Sequence, residues 1–247
     1  MSSNNKLTAV ILAGGLGTRL RPVVGDFPKV LAPINNRPFL SYILDQLICC
    51  GFSRVVLCTG YGADKVRATF GDFYKDLSIM YSRETVPLGT GGALRNAIPY
   101  VKDEHILVMN GDSYIDVDLN TYIEWYFQND IIVSLLLTMV SDTGRYGRVD
   151  VDGDGLVSQF VEKGESAIPG WINAGIYILE QSLFLQTHTG GSFSLEHDFF
   201  PKFVGKGLRG FQSKGAFIDI GTPESYDKAD QFFNIKENLE SDVNKDV

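Results

Sequence analysis

Two textures of apolar and polar positions divide this chain. In its first part, short apolar runs are continuous rather than alternating: Leu7 to Leu12, Val55 to Cys58, Ile106 to Met109 and Ile131 to Leu137. Unbroken runs of this length, rich in β-branched residues, predict buried parallel strands, because both faces of such strands are covered. Helix-period segments lie between them. Pro38 to Cys50 opens on a proline, which a first helical turn tolerates, and stops at Gly51, where a left-handed cap is cheap. Ala63 to Phe70 and Thr90 to Ala97 are further expected helices. Strands alternating with helices predict an α/β layer with a mostly parallel sheet, since parallel neighbours need crossover connections, and place ligands at the strands' C-terminal ends.

After about residue 140 the texture changes. Tyr146 to Val151 and Leu156 to Glu162 flank Asp152-Gly153-Asp154-Gly155, whose composition suits a hairpin connection. Trp171 to Leu179 predicts a further strand, followed by helix-like segments and the short strand Phe217 to Ile220. No internal repeat, low-complexity tract or interdomain linker interrupts the chain. The expectation is one domain over residues 1–236, with an α/β part (1–140) and a β-rich part (141–236). The polar segment 237–247 is expected to be a solvated tail or a fraying last helical turn.

With 247 residues, 44% of them hydrophobic, the chain can bury a substantial core. A formal charge of −8 argues against a nucleic-acid partner, which needs a basic surface to displace condensed counterions, so any phosphate site must be local. Cys49, Cys50 and Cys58 form no CxxC spacing and are odd in number, which suggests neither a disulfide framework nor a zinc site. They are expected to be buried thiols in a reducing compartment. The apolar run Leu7 to Ala13 is too short for a signal or membrane helix, so no membrane partner and a cytoplasmic location are expected. Apolar surface patches would make a homo-oligomer, but sequence does not separate them from core.

The first strand runs directly into Leu12-Ala13-Gly14-Gly15-Leu16-Gly17-Thr18-Arg19-Leu20-Arg21-Pro22. Glycines let backbone N–H groups approach polyphosphate oxygens, and Arg19 adds a permanently charged, bidentate clamp. The loop is not a Walker A motif, which ends in Gly-Lys-Ser/Thr, and a dinucleotide fingerprint starting at Gly15 would need a small residue at Leu20. Asp26-Phe27-Pro28-Lys29 brings a second cation within a few residues. Downstream, Asn110-Gly111-Asp112 ends one predicted strand, and Phe217-Ile218-Asp219-Ile220-Gly221-Thr222-Pro223-Glu224 passes from another strand through a glycine to a proline-initiated helix. Two aspartates at strand ends, with substrate phosphates and water, suffice for Mg²⁺. Singly, each would be an ordinary turn or cap residue.

Through these linked motifs the chain resembles the sugar-1-phosphate nucleotidyltransferases, from about Leu7 to about Phe233. The resemblance implies a Rossmann-like α/β/α single domain with a mixed, mostly parallel central sheet and a small β-rich sugar-binding extension. It implies that Arg19 contacts the departing pyrophosphate, that Lys29 contacts the reacting phosphate, and that Asp112 and Asp219 hold Mg²⁺. Nucleotide binding would fall to the backbone at Leu12, Ala13 and Gly14, to Gly15, Gly17 and Thr18 in the same loop, and to Gly89 and Thr90 in Pro87-Leu88-Gly89-Thr90-Gly91-Gly92-Ala93-Leu94. That segment is expected to enter a helix whose unpaired N–H groups favour anions or carbonyls.

Glu84 resembles the residue that reads the base edge. A carboxylate only accepts hydrogen bonds, and guanine alone offers two adjacent donors, which favours GTP; uracil and thymine, with one ring N–H each, stay open. The sugar phosphate would be met by Gly147, Glu162, Lys163 and Asn173, with the glutamate and asparagine taking hydroxyls and the lysine the phosphate. His105, His188 and His197 match no motif.

The compact form, with no long C-terminal repeat domain, most resembles the D-glycero-D-manno-heptose 1-phosphate guanylyltransferases of bacterial surface-glycan pathways. Mannose-1-phosphate guanylyltransferases and sugar-1-phosphate uridylyl- and thymidylyltransferases share much of the motif order. A non-catalytic nucleotide-sugar-binding subunit is a rival, disfavoured because such a module could dispense with the metal aspartates. An oxidoreductase is disfavoured by the broken dinucleotide fingerprint.

Overall fold

Alternate side chains of the first strand enter two different cores. In β1 (Leu7–Leu12), Ala9 and Ile11 belong to a cluster with Phe39, Leu40 and Tyr126, whereas Val10 belongs to a second cluster with Leu94, Phe184 and Phe199. Side chains of a strand alternate across the sheet, so two cores mean that helices cover both faces. Each wholly buried leucine or phenylalanine contributes about 1.5–3 kcal/mol relative to exposure.

The computed structural model describes residues 6–161, 168–187 and 190–243. After β1 come α1 (Arg21–Val24), the two-residue strands β2 (Pro33–Ile34) and β3 (Arg37–Pro38), α2 (Phe39–Cys49), β4 (Arg54–Thr59) and α3 (Ala63–Phe70). Next are β5 (Phe73–Tyr74), β6 (Leu77–Arg83), α4 (Gly89–Ala97), β7 (His105–Asn110), β8 (Ser113–Ile115), α5 (Leu119–Gln128) and β9 (Val133–Val140). The second part holds β10 (Arg148–Val151), β11 (Val157–Val161), β12 (Gly170–Glu180), α6 (Gln181–Thr187), β13 (Leu208–Ser213), β14 (Phe217–Asp219), α7 (Pro223–Tyr226) and α8 (Ala229–Val243).

The main sheet has the order β13-β9-β12-β7-β1-β4-β6-β5. β7, β1, β4 and β6 are mutually parallel, and β9 pairs in parallel with β13. β12 runs against both β7 and β9, so a strand from the second part of the chain is inserted between two from the first. The fold is therefore the expected mixed, mostly parallel Rossmann-like sheet. The expected β-rich extension consists of the β10–β11 hairpin and the β8–β14 pair.

Local chemistry explains the element ends. α2 stops as expected: Gly51 N–H donates to the Ile48 carbonyl at 2.9 Å and Phe52 N–H to Leu47 at 3.0 Å, the paired bonds of a Schellman cap. In the β10–β11 loop, Asp152 Oδ1 accepts from the N–H groups of Asp154 and Leu156, at 3.0 and 2.8 Å. α7 starts on a capping box made by Thr222 and Ser225 behind Pro223.

One expectation needs correction. Cys49 is exposed at the end of α2, because it falls on the solvent side of a helix that buries Leu44 and Leu47; only Cys50 and Cys58 are buried. Of the two expectations for 237–247, a tail or a last helical turn, the helical one holds as far as Val243, where the last helix ends. β6, β13 and α5 were not anticipated. In β6 serines interrupt the apolar positions, and in β13 glycine and polar residues do, so neither reads as a continuous run.

Candidate active site

The C-terminal ends of β1, β4, β6 and β7 lie side by side, and the loops leaving them are stitched together by main-chain bonds. Ala13 N–H donates to Cys58 O at 2.8 Å, Gly111 N–H to Leu12 O at 2.9 Å, and Glu84 N–H to Thr59 O at 2.8 Å. These bonds fix the glycine-rich loop, Glu84 and Asp112 along one edge, where ligands of parallel sheets bind.

A cavity of about 290 Å³ opens here, lined by Leu12, Ala13, Gly14, Gly15, Glu84, Gly89 and Thr90 among others. Glu84 is pressed against bare backbone. A Cβ on Gly14 would come within 2.9 Å of Glu84 Oε1, and one on Gly60 within 2.6 Å, so only glycines leave room for the carboxylate. Burial raises the Glu84 carboxyl above its ordinary pKa, opposed by the Leu88 N–H, which reaches Oε2 at 3.3 Å.

Two members of the loop stand apart from this cavity. Gly17 and Thr18 line neither cavity of the site. Thr18 is exposed, and Gly17 packs over Lys29, where a Cβ would approach Lys29 Cβ to 3.1 Å. At the start of α4 the N–H groups of Gly91 and Gly92 donate to the Phe193 carbonyl, at 3.0 and 3.3 Å.

A second cavity, of about 470 Å³, shares Lys29, Thr90, Asn110 and Asp112 with the first. At this junction Lys29 Nζ donates to Asp112 Oδ2 at 2.8 Å; the lysine side chain is 11% exposed and the aspartate 46%. Arg19 is exposed and lines the larger cavity. Asp219 pairs across the β8–β14 ladder with Ser113, and Ile220 N–H donates to Asp112 O at 2.9 Å. The two aspartates, far apart in sequence, thus sit on adjoining backbone and line one cavity.

Asp219 is heavily engaged. Arg145 Nη2 donates to Oδ1 at 2.7 Å and to Oδ2 at 2.8 Å, Tyr146 OH donates to Oδ2 at 2.7 Å, and Gly221 N–H to Oδ1 at 2.7 Å. Burial, then the Asp219 carboxylate, pushes the Tyr146 phenol well above its ordinary range. Among the described residues, no group of three or more histidine, cysteine or acidic side chains gathers to hold a metal ion. A metal here would rest on two carboxylates and the substrates' own oxygens.

Gly147 and Asn173 line the larger cavity, while Glu162 and Lys163 lie outside the described residues. Asn173 also has a structural duty: its Nδ2 donates to Tyr177 OH at 2.9 Å and its Oδ1 accepts from Gly175 N–H at 2.9 Å. This stretch of β12 is a bulge against β9, and Gly175, at φ +80°, sits so close to the ends of β7 and β8 that a Cβ would be 2.8 Å from Asn110 Nδ2 and 2.7 Å from Ser113 Oγ.

Sequence reasoning missed a set of hydroxyls and amides behind that bulge. Tyr177 OH donates to Glu196 Oε1 at 3.0 Å, and Thr90 and Ser194 hydroxyls donate to Glu196 Oε2 at 2.7 and 2.8 Å. Burial, and next the Glu196 carboxylate, holds the Tyr177 phenol far above its usual pKa. Asn110 Nδ2 points to the same phenol at 3.5 Å, and its Oδ1 is buried without a partner. The available signal was Asn110, a polar residue closing the apolar run Ile106 to Met109; Glu196, among Ser194, His197 and Asp198, carried no such signal.

Comparison with known proteins gives a consistent picture. The family profile described as nucleotidyl transferase matches residues 8–235. The chain is 42% identical over 224 residues to a D-glycero-alpha-D-manno-heptose 1-phosphate guanylyltransferase of Aneurinibacillus thermoaerophilus, covering 90% of this chain and 96% of that one. A protein of the same name from Campylobacter jejuni is 38% identical over 226 residues, covering 89% and 97%. The crystal structure of HddC from Yersinia pseudotuberculosis complexed with GMP-PN superimposes with a TM-score of 0.81 at 39% identity, over 92% of this chain and 99% of that one.

Proposed function

From a chain that belongs to the nucleotidyl transferase family, we infer an enzyme that transfers a guanylyl group from GTP to D-glycero-D-manno-heptose 1-phosphate, giving a GDP-sugar and pyrophosphate. The single observation that carries this reading is the junction of two cavities at Lys29 and Asp112. One cavity has glycine backbone and, away from the shared Asp112, a single carboxylate at Glu84, suited to a base and its phosphates. The other has amide and hydroxyl groups suited to a polyol. Two anions that repel in water meet at a cation and an acidic residue, where catalysis is chiefly neutralisation and positioning.

In the smaller cavity the base lies against Leu12, Ala13 and Gly14, and Glu84 accepts from the guanine ring N–H and amino group. Gly15 lets the chain pass close to the phosphates, and Gly89 and Thr90 close the wall on the ribose side. In the larger cavity Gly147 and Asn173 hold the sugar ring and its hydroxyls, with Glu162 and Lys163 assigned to a further hydroxyl and to the sugar's phosphate. An oxygen of that phosphate attacks the α-phosphorus in line. The bond to the β-phosphate oxygen breaks, and pyrophosphate leaves with the electron pair; no covalent enzyme intermediate is needed. Arg19 takes charge on the departing pyrophosphate and Lys29 on the reacting phosphate.

Asp112 and Asp219 offer hard oxygen donors on adjoining backbone, the donor chemistry Mg²⁺ selects. Bound between them, the ion would supply Lewis-acid polarisation and charge neutralisation at the reacting phosphates. No helix among the described residues is long and apolar enough to cross a membrane. That fits a cytoplasmic enzyme supplying activated heptose for surface-glycan synthesis.

Pyrophosphate release tests the assignment, using GTP, ATP, UTP and dTTP against heptose, mannose and glucose 1-phosphates. GTP with the heptose should give the highest kcat/KM. A preference for UTP or dTTP removes the base assignment, a preference for mannose 1-phosphate removes the sugar, and no release from any pair removes the catalytic reading.

A further inference from the structure

Arg145 is a long cation lying in the site that the reaction scheme above does not use. Its Nη2 touches both oxygens of Asp219, its guanidinium also meets Ser225 Oγ at 2.9 Å, and it lies over the Tyr146 ring at 5.1 Å. An ionised carboxylate offers about four lone-pair sites, and Asp219 already takes two close donations from Arg145, one from Tyr146 and one from Gly221, with the Ser225 hydroxyl further off at 3.5 Å. Asp112, by contrast, is 46% exposed. The two aspartates are therefore unequal as metal ligands. A divalent ion meets Asp112 readily, but at Asp219 it must displace a donor. Of these donors, only Arg145 carries a charge that the ion would repel, and only Arg145 has a long, flexible side chain able to leave; Gly221 donates from main chain, and Tyr146 and Ser225 are neutral.

Resting on the metal reading of Asp112 and Asp219, we propose that Arg145 is an exchangeable counterion, which yields Asp219 to the divalent cation and passes to the phosphate of the incoming sugar. The destination follows from geometry and chemistry. Arg145 lines the larger cavity beside Gly147 and Asn173, and a guanidinium fork fits a phosphate as well as a carboxylate. The exchange ties acceptor binding to metal binding: the metal releases the arginine, and the acceptor phosphate captures it. Metal and acceptor must then each strengthen the other's binding by the same factor. A fixed salt bridge that merely shapes the loop makes no such prediction.

The test is Mn²⁺ binding to the full-length protein, followed by electron paramagnetic resonance, with steady-state kinetics in parallel. In R145Q the competitor for Asp219 is gone, so the Mn²⁺ Kd should fall about three- to tenfold, while KM for the sugar phosphate rises about tenfold and KM for GTP changes little. In wild type a saturating sugar phosphate should tighten Mn²⁺ several-fold, and in R145Q it should not. R145K, which keeps the charge without the fork, should recover part of the acceptor KM, and thermal denaturation confirms that each variant is folded. Unchanged or weaker Mn²⁺ binding in folded R145Q, with D219N abolishing it, overturns the exchange and leaves the metal site standing. If R145Q does not fold, an acceptor KM in R145K equal to wild type overturns it instead. Mn²⁺ binding that is insensitive to both D112N and D219N removes the metal reading itself.

Discussion

The two cavities that meet at Lys29 and Asp112 are built in opposite ways. The smaller one is walled largely by small and apolar residues: Leu12, Ala13, Gly14, Gly15 and Gly89 come from loops that parallel strands deliver side by side and leave their backbone open, and away from the seam at Asp112 the one carboxylate among them is Glu84. The larger one is walled by side chains from distant places, with Arg145 and Tyr146 before a hairpin, Asn173 and Tyr177 on an inserted antiparallel strand, Glu196 in a helical turn and Asp219 near the end of the fold. A wall of backbone accommodates what all nucleotides share. A wall of side chains fits one sugar, and changes when any member changes.

This contrast yields predictions that differ in size. The largest concerns the seam. Replacing Asp219 or Asp112 by asparagine should lower kcat a hundredfold or more, about 2.7–4 kcal/mol by comparison with loss of one transition-state-stabilising group, with both KM values moving far less. If either variant turned over like wild type with Mg²⁺ present, that residue would lie outside the chemistry.

On the sugar side, Gly175→Ala should cost about 1–3 kcal/mol of stability, because it combines a left-handed backbone with a clash against Ser113. Thermal denaturation should show a Tm lower by roughly 2–4 °C per kcal/mol. An unchanged Tm would mean that the bulge relaxes freely and does not anchor Asn173.

The smallest effect is expected on the backbone-walled side. Glu84→Gln should reduce the preference for GTP over UTP about tenfold, the scale of one hydrogen bond to a charged acceptor. Its pH dependence has a definite sign. Burial raises the folded-state carboxyl above 4.5, so Glu84's contribution to stability is present below that ordinary value and is lost as pH rises through the raised one. The variant should therefore melt slightly higher than wild type at neutral pH. The base needs the ionised acceptor, so KM for GTP in wild type should rise as pH falls through that raised value, and the variant should lack this limb. Parallel pH profiles in the two proteins would remove Glu84 from base recognition.

The same contrast governs what could be read from the chain. β1, its glycine loop, Asp112 and the proline-led turn after Asp219 were legible because their signals are local: an unbroken apolar run, then small residues, then a charge. The Schellman cap at Gly51 and the Asp152 hairpin were legible for the same reason. Tyr177, Glu196 and Arg145 were not, since their meaning comes from β12 lying between β7 and β9. No spacing in the sequence announces that a phenol on one strand will bond a carboxylate in a later turn. Nor does the sequence announce which carbonyl meets the helix start at Gly91 and Gly92: it is that of Phe193, far along the chain.

The account stands on one cation shared by two carboxylates at the place where the cavities join. Crystals grown with Mn²⁺, GTP and an unreactive sugar phosphate analogue would place the ion directly, through its anomalous scattering. The account predicts a peak within ligand distance, about 2.0–2.2 Å, of oxygens from both Asp112 and Asp219 and of a nucleotide phosphate. A peak held by neither aspartate, or two carboxylates still turned to Lys29 and Arg145 beside a fully occupied nucleotide, would contradict it.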